Sequence, residues 1–238
     1  MRWRVQLVLF VAAWAIYDLA RWIFVGELGP ATDNARWVMD LEHSTGIAVE
    51  RSVQQALDAG WATWLLSNVY LAAQLAVVPG ALFFLYRRSP AIYRRLRDTI
   101  LTTWMLSVPI FALFPVAPPR LAGIGMADTV SDQAAVALTG HSTVFYNPLA
   151  AVPSLHCGFA FAIGIALAAA ARTPWPKALA LSWGPIVALS VVATGNHYVF
   201  DIAAGLAAAL AGYGIGALMR RPRRAPARGL LAASPEGA

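Results

Sequence analysis

Hydrophobic residues are grouped into six long runs, which are separated by short polar or basic segments. Several of the runs reach the roughly 20 residues that an α-helix needs to cross a bilayer. The runs cover residues 5–25, 61–86, 99–114, 153–171, 178–194 and 198–219. This pattern predicts an all-α, polytopic membrane protein built as a bundle of six transmembrane helices.

The parts of the chain between and beside these runs suggest three regions. Residues 26–60 are the most polar part, and their apolar positions follow only a partial helical period. This favours a partly helical segment at the membrane interface, in which Glu42 and His43 are surface residues. We therefore divide the chain into the first helix plus this segment (1–60), a helical core (61–219) and a proline-rich basic tail predicted to be disordered (220–238).

Composition excludes a soluble enzyme and several kinds of site. Hydrophobic residues make up 59% of the chain and charged residues 13%, which leaves almost no room for a separate soluble domain. The single cysteine, Cys157, excludes an intrachain disulfide and a zinc-thiolate cluster. The net charge of +6 lies in short loops between the runs, so it indicates membrane orientation and not a nucleic-acid partner.

The distribution of basic residues predicts the orientation of the chain in a cell membrane. Fourteen of the 18 lysines and arginines lie in four segments on one side: the amino end, 87–98, 172–177 and the tail. Three arginines lie in the opposite loops: Arg36, Arg51 and Arg120. Because basic loops stay in the cytoplasm, both termini are predicted to be cytoplasmic, and the site described next faces the extracytoplasmic side.

Three titratable residues at the ends of apolar runs are predicted to form one site. His197 and Asp201 are four residues apart, so on a helix they share a face, and the carboxylate can fix the tautomer of a nucleophilic imidazole. His156 falls in the first turn of its helix, where backbone amides favour an anion, and it is a candidate general acid. Arg120, preceded by two prolines, is a candidate clamp for phosphate oxygens. The same two histidines and aspartate could instead hold zinc.

Two segments that contain these histidines resemble the signatures of a known enzyme family. Pro153-Ser-Leu-His156 resembles the Pro-Ser-x-His signature of the type 2 phosphatidic acid phosphatase superfamily, and Ser190 to Asp201 is similar to its Ser-Arg-x5-His-x3-Asp signature. Phe114–Arg120 and Tyr93–Arg97 resemble the branch that contains inositol phosphorylceramide synthases. The resemblance covers roughly residues 60 to 215.

The resemblance implies a mechanism and assigns roles to the site residues. His197 would be the nucleophile that forms a phosphohistidine, Asp201 would orient it, and His156 would protonate the leaving alcohol. Ser154 and Asn196, which lie inside the two motifs, are predicted with Arg120 to bind the phosphate. Water would complete hydrolysis, or a second alcohol would complete transfer. No metal or other cofactor is expected.

Two departures from the family pattern bear on the substrate. The arginine of the third signature is Val191 here, and no clear Lys-x6-Arg-Pro signature is present. Fewer fixed cations suit a phosphodiester, which carries one negative charge, better than a monoester, which carries close to two. This favours transfer of a head group from a phospholipid. Hydrolysis of a polyprenyl or phosphatidate monoester is the alternative, and a transporter or scaffold that retains the motifs is the non-enzymatic hypothesis.

Overall fold

The structure, a computed structural model, describes residues 2–23, 26–133 and 148–221. Within these ranges it is helical and contains no strand; one isolated parallel bridge pairs Val116 with Ala150. The α-helices are α1 (Trp3–Ile23), α2 (Leu28–Thr45), α3 (Glu50–Ala56), α4 (Gly60–Ala72), α5 (Val78–Arg88), α6 (Pro90–Leu113), α7 (Thr129–Gln133), α8 (Leu155–Ala170), α9 (Pro174–Ala193) and α10 (Val199–Met219). The all-helical prediction is confirmed for the described residues.

Several helices are long and apolar enough to cross a membrane. Four stretches meet both conditions: Trp3–Ala20, Gly60–Arg88, Pro174–Ala193 and Val199–Met219. The second of these joins α4 and α5 through a π-helical turn at Ala73–Val77. The apolar helix α8 has 16 residues and is shorter. Many large apolar side chains point outward from the bundle, as in a protein that is solvated by lipid. The chain is therefore a helical membrane protein.

The basic segment that follows the second apolar run is mostly helical, which differs from the loop predicted there. Ser89 alone separates α5 from α6, and α6 begins at Pro90. Proline suits the first turn of a helix because its missing N–H would have no partner there. Tyr93 and Leu96 are buried in a cluster with Phe159 of α8, so this basic stretch has an apolar face that holds it in helical form.

The prediction that Glu42 is a surface residue was wrong, whereas His43 is exposed as expected. Ala31, Ala35, Val38 and Glu42 are the buried residues of α2. Their spacing places them on one stripe of the helix, which faces the core. Glu42 is therefore the last residue of this otherwise apolar stripe, and it is buried because the stripe packs against the core.

Close glycine contacts bring α8 against α10. A Cβ atom at Gly205 would overlap the carbonyl oxygen of Ser154, and one at Gly158 would lie 2.8 Å from the carbonyl oxygen of Gly205. Both contacts are too close for any side chain, so the backbones of the two helices touch at this level. The backbone N–H of Ser154 also donates to the carbonyl oxygen of Asp201 over 3.0 Å. The start of α8 is thus fixed beside the start of α10.

Candidate active site

His197 lies in the short turn between α9 and α10, and its Nδ1 atom faces two acceptors. The carbonyl oxygen of Ala151 is 2.9 Å away, and Oδ2 of Asp201 is 3.1 Å away. Because both partners accept, the proton of a neutral imidazole belongs on Nδ1. That tautomer leaves the lone pair on Nε2 available for attack on phosphorus.

The contact between His197 and Asp201 is made differently from the predicted arrangement on one helical face. His197 precedes α10, whose N-cap is Tyr198, and Asp201 lies in the first turn. The carboxylate reaches back toward the start of the helix, where its Oδ2 also accepts the N–H of Tyr198 over 2.9 Å. The same interaction that caps α10 therefore orients the imidazole.

A glycine turn holds His197 in place. The N–H groups of Asn196 and His197 both donate to the carbonyl oxygen of Val191, over 3.0 and 3.1 Å. Gly195 has a φ of 69°, a left-handed conformation that favours glycine. Its carbonyl oxygen accepts the backbone N–H of Arg120 over 3.0 Å, so one turn positions both His197 and the segment that carries Arg120.

His156 is the second residue of α8 and lies between an aromatic ring and His197. Its imidazole stacks on the ring of Tyr70, with centroids 4.1 Å apart and planes 18° apart. The centroid of the His197 ring is 5.9 Å from that of His156, at 56°. One phosphate group can bridge two imidazoles at this separation, since a hydrogen bond to its oxygen spans about 2.8 Å.

Arg120 reaches the site behind Asn196. Its Nε lies 3.2 Å from Oδ2 of Asp128, and its Nη1 donates to Oδ1 of Asn196 over 2.5 Å. The amide nitrogen of Asn196 in turn donates to Oγ1 of Thr194 over 2.8 Å. Asn196 therefore holds the guanidinium in place, and phosphate binding by Arg120 and Asn196 stays a prediction.

Ser154 caps α8. Its side chain is fully buried, and its hydroxyl oxygen accepts the N–H of Cys157 over 3.3 Å. A serine at this position stabilises the helix start on which the orientation of His156 depends. A direct contact of Ser154 with phosphate stays a prediction.

The environment of His197 keeps its imidazole neutral. The pKa of His197 is lowered from 6.5 to about 3: burial is the main cause, the positive charge of Arg120 also lowers it, and the hydrogen bond to Ala151 opposes the shift. Desolvation disfavours the imidazolium because it removes water from a charged group. At neutral pH, His197 is therefore in the form that a nucleophile requires.

A large apolar cavity opens onto both histidines. Its volume is about 1120 Å³, and its walls come from α1, the α4–α5 stretch, α6 and α8. The wall formed by α6 extends from Tyr93 to Phe111, a length of about 27 Å at 1.5 Å per residue. His156 and His197 lie at one end of this cavity, and Trp3 and Arg87 line the other. Its length and apolar lining suit the hydrocarbon chains of a lipid.

The described residues contain neither a second arginine at the histidines nor a metal cluster. Val191, at the position of the family's arginine, is fully buried in an apolar cluster with Tyr70. Arg36 and Arg51 are exposed on α2 and α3, and Arg36 pairs with Asp33. No group of three histidine, cysteine or acidic residues is placed to hold a metal in this part of the chain.

Three features of the site escape sequence reasoning. Tyr70 stacks on His156, Asp128 pairs with Arg120, and Ala151 accepts from His197. In the sequence, an aromatic residue inside an apolar helix looks like any buried core residue. A backbone carbonyl that accepts a hydrogen bond leaves no mark in the sequence at all. Asp128, a carboxylate in the same polar loop as the candidate arginine, is the one that charge pairing could have found.

Comparison with known proteins gives one match. No curated protein and no solved structure matches the chain. A family model described as the PAP2 superfamily matches residues 36–215. The match includes both histidines, Asp201, Arg120 and the segment from Arg36 onward that carries Glu42. Because it covers well over half of the chain, the protein belongs to the PAP2 superfamily.

Proposed function

We propose that this protein is an integral membrane enzyme that moves a lipid-linked phosphate head group through a phosphohistidine intermediate. The observation that carries the proposal is the pair of histidines that line an apolar cavity. The Nδ1 atom of His197 faces two acceptors, and the centroids of the His156 and His197 rings are 5.9 Å apart. Membership of a superfamily of phosphatases and phosphotransferases supports the same class of reaction.

The proposed reaction has two steps. In the first, Nε2 of His197 forms a bond to phosphorus, and the bond between phosphorus and the lipid alcohol breaks. His156, whose imidazolium form is stabilised by the negative charge of the bound phosphate, gives its proton to the departing oxygen. In the second, neutral His156 accepts the proton of an incoming hydroxyl, whose oxygen attacks phosphorus and releases His197. Asp201 keeps the proton of His197 on Nδ1 throughout.

The supply of positive charge favours a phosphodiester donor. Arg120 is already bonded to Asp128 and Asn196, and Val191 replaces the other family arginine. A diester brings one negative charge to this site, whereas a monoester brings close to two. Unmatched charge is costly in a buried pocket. We therefore propose head-group transfer from a phospholipid such as phosphatidylinositol, as in the branch that contains inositol phosphorylceramide synthases.

The proposed orientation places the site at the extracytoplasmic face of a cell membrane. Each of the six apolar runs coincides with a helix or helix pair, and we propose that all six cross the bilayer with both termini in the cytoplasm. The uneven distribution of arginine and lysine supports this orientation. Cysteines introduced near Arg120 should react with impermeant thiol reagents from outside, and cysteines near Arg94 should not. The reverse pattern would overturn the orientation.

A comparison of two labelled substrates tests the reaction. Purified protein is incubated with phosphatidylinositol plus an acceptor alcohol, and separately with a phosphatidate or polyprenyl phosphate monoester. We expect head-group transfer from the diester. Inorganic phosphate from the monoester with no transfer from the diester would overturn the transferase proposal and leave a phosphatase.

Histidine variants separate the enzyme from a non-enzymatic membrane protein. We expect His197→Ala to abolish activity and His43→Ala, which removes an exposed histidine of α2, to retain it. Wild-type protein without activity on either lipid, or full activity in His197→Ala, would contradict the proposed enzyme.

A further inference from the structure

Two glutamates from a distant part of the chain cap the first turn of α10. Oε1 of Glu50 accepts the N–H of Val199 over 2.9 Å, and Oε1 of Glu42 accepts the N–H of Phe200 over 2.6 Å. The first N–H groups of a helix have no partner within the helix. Caps normally come from a residue next to the helix, but Glu42 and Glu50 belong to α2 and α3, about 150 residues earlier.

The capped backbone lies directly between the two residues of the proposed nucleophile pair. Val199 and Phe200, together with Tyr198, separate His197 from Asp201 in the chain. Oδ2 of Asp201 reaches both the Nδ1 atom of His197 and the N–H of Tyr198. A shift of the peptides at 199 and 200 therefore changes the contact between His197 and Asp201.

Glu42, Glu50 and Asp201 form a buried group of carboxyls around this turn. Glu42 and Asp201 are fully buried, and Glu50 is 6% exposed. Oε2 of Glu42 and Oδ1 of Asp201 have no hydrogen-bond partner among the described residues. Three ionised carboxylates in one dry cluster repel each other strongly, so at least one of them must carry a proton.

We assign the proton to Glu42, because Oδ2 of Asp201 accepts from both Nδ1 of His197 and the N–H of Tyr198, and two donors favour an ionised carboxylate. The pKa of Glu42 is raised to about 8: burial is the main cause, a hydrogen bond to Glu50 and the charges of Glu50 and Asp201 add to it, and the N–H of Phe200 opposes it. A protonated carboxyl can accept from Phe200 with one oxygen and donate to Glu50 with the other. This arrangement gives the otherwise unpaired Oε2 a partner.

We propose that Glu42 and Glu50 are positioning residues for the phosphoryl-transfer reaction, and that they fix the contact between His197 and Asp201 by clamping the peptides at Val199 and Phe200. The inference rests on the proposed function, because it concerns the same histidine. Glu42 acts in its protonated form.

The groups around Glu42 predict a pH dependence of activity. Glu50 on α3 and Asp201 on α10 face it, the phenol of Tyr198 lies near it, and Asp40 and His43 are exposed on α2 itself. Ionisation of Glu42 adds negative charge to this cluster and removes its donor to Glu50. The clamp then weakens, and activity falls as the pH rises through about 8.

Four variants of full-length protein test the inference. Glutamine imitates the protonated acid, because it accepts with its oxygen and donates with its nitrogen. We expect Glu42→Gln to retain activity at pH 7 within about threefold and to lose the decline above pH 8, whereas Glu42→Ala loses about tenfold or more in kcat. Glu50→Gln, which replaces the carboxyl partner of Glu42 by an amide, should also lower kcat. Asp40→Asn, an exposed control on α2, should match wild type.

The measurements are head-group transfer from phosphatidylinositol between pH 5 and 10, binding of orthovanadate as a phosphate analogue, and thermal unfolding. The inference would be overturned, and the proposed function left standing, by either of two results. One is a loss of activity above pH 8 in Glu42→Gln that equals the loss in wild type, and the other is a folded Glu42→Ala with wild-type kcat. If Glu42→Ala does not fold, the pH profile of Glu42→Gln still decides. Wild-type protein that neither turns over a lipid nor binds orthovanadate would overturn the proposed function, and the inference with it.

Discussion

The ring of Tyr70 lies parallel to the imidazole of His156, with centroids 4.1 Å apart. Tyr70 comes from α4, immediately before the π-helical turn, and is buried in the same cluster as Cys157. The stack restricts rotation of His156 about its side-chain bonds and holds its ring 5.9 Å from the ring of His197, centroid to centroid. Tyr70 is thus the contact that aims the proposed general acid.

Removal of this stack should weaken catalysis. We expect Tyr70→Leu to lower kcat about three- to tenfold, because an aromatic pair contributes about 0.5–1.5 kcal/mol beyond its buried area. Tyr70→Phe keeps the ring and should keep most of the activity. Tyr213→Leu, a change at an exposed tyrosine of α10, is the control. Equal kcat in wild type and Tyr70→Leu would show that the stack does not matter for the reaction.

The contact between α8 and α10 should tolerate no side chain at residue 205. We expect Gly205→Ala to lower the free energy of unfolding by more than about 2 kcal/mol, since the new Cβ would meet the carbonyl oxygen of Ser154. Gly214→Ala on the same helix adds a Cβ in open space and should stabilise α10 by up to about 1 kcal/mol. Thermal unfolding in detergent measures both. Similar melting temperatures for the two variants would contradict this packing.

Activity should persist in acid below the ordinary pKa of histidine. His197 reacts when neutral, and its pKa is lowered from 6.5 to about 3, so kcat/KM should fall only as the pH drops well below 6.5. A phosphodiester substrate is used because it does not itself titrate in this range. Arg120→Gln removes a positive charge that lowers the pKa of His197. In this variant the fall of kcat/KM in acid should therefore begin at a higher pH. The account would be contradicted if the kcat/KM of wild type fell with a midpoint at pH 6.5 and Arg120→Gln left that midpoint unchanged.

A bulky residue in the apolar cavity should discriminate against long lipids. Val78 lines the cavity and is half-buried. We expect Val78→Trp to lower kcat/KM for a long-chain phospholipid about tenfold more than for its dihexanoyl analogue, because only the long chains need the occupied space. Leu179→Trp, at an exposed position of α9, is the control. If Val78→Trp leaves the ratio of kcat/KM for the long-chain and dihexanoyl lipids unchanged, the acyl chains bind outside this cavity.

The helices and the contact between His197 and Asp201 were predictable because their signals are local. Apolar runs mark the helices, Pro153 and Ser154 mark the start of α8, and His197 and Asp201 are close in the chain. The basic stretch after Arg88 was predicted as a loop because its charges hid an apolar face formed by Tyr93 and Leu96. The element boundaries there follow from packing against α8.

Glu42 shows what local reasoning does not reach. The stripe Ala31, Ala35, Val38 and Glu42 was visible in the sequence, but a carboxylate on a polar segment is normally a surface residue. Its partner is the N–H of Phe200, 158 residues away. Only the folded chain brings the start of α10 to this carboxyl. The contact of Tyr70 with His156 was hidden for the same reason.

Detection of the covalent intermediate tests the central claim most directly. Purified protein is mixed with phosphatidylinositol labelled with ³²P, quenched in alkali to preserve a phosphorus–nitrogen bond, and digested for mass spectrometry. We predict label on His197 in wild type, accumulation of that label when the acceptor alcohol is omitted, and none in His197→Ala. A wild-type enzyme that turns over the lipid without label on residue 197 would contradict the account.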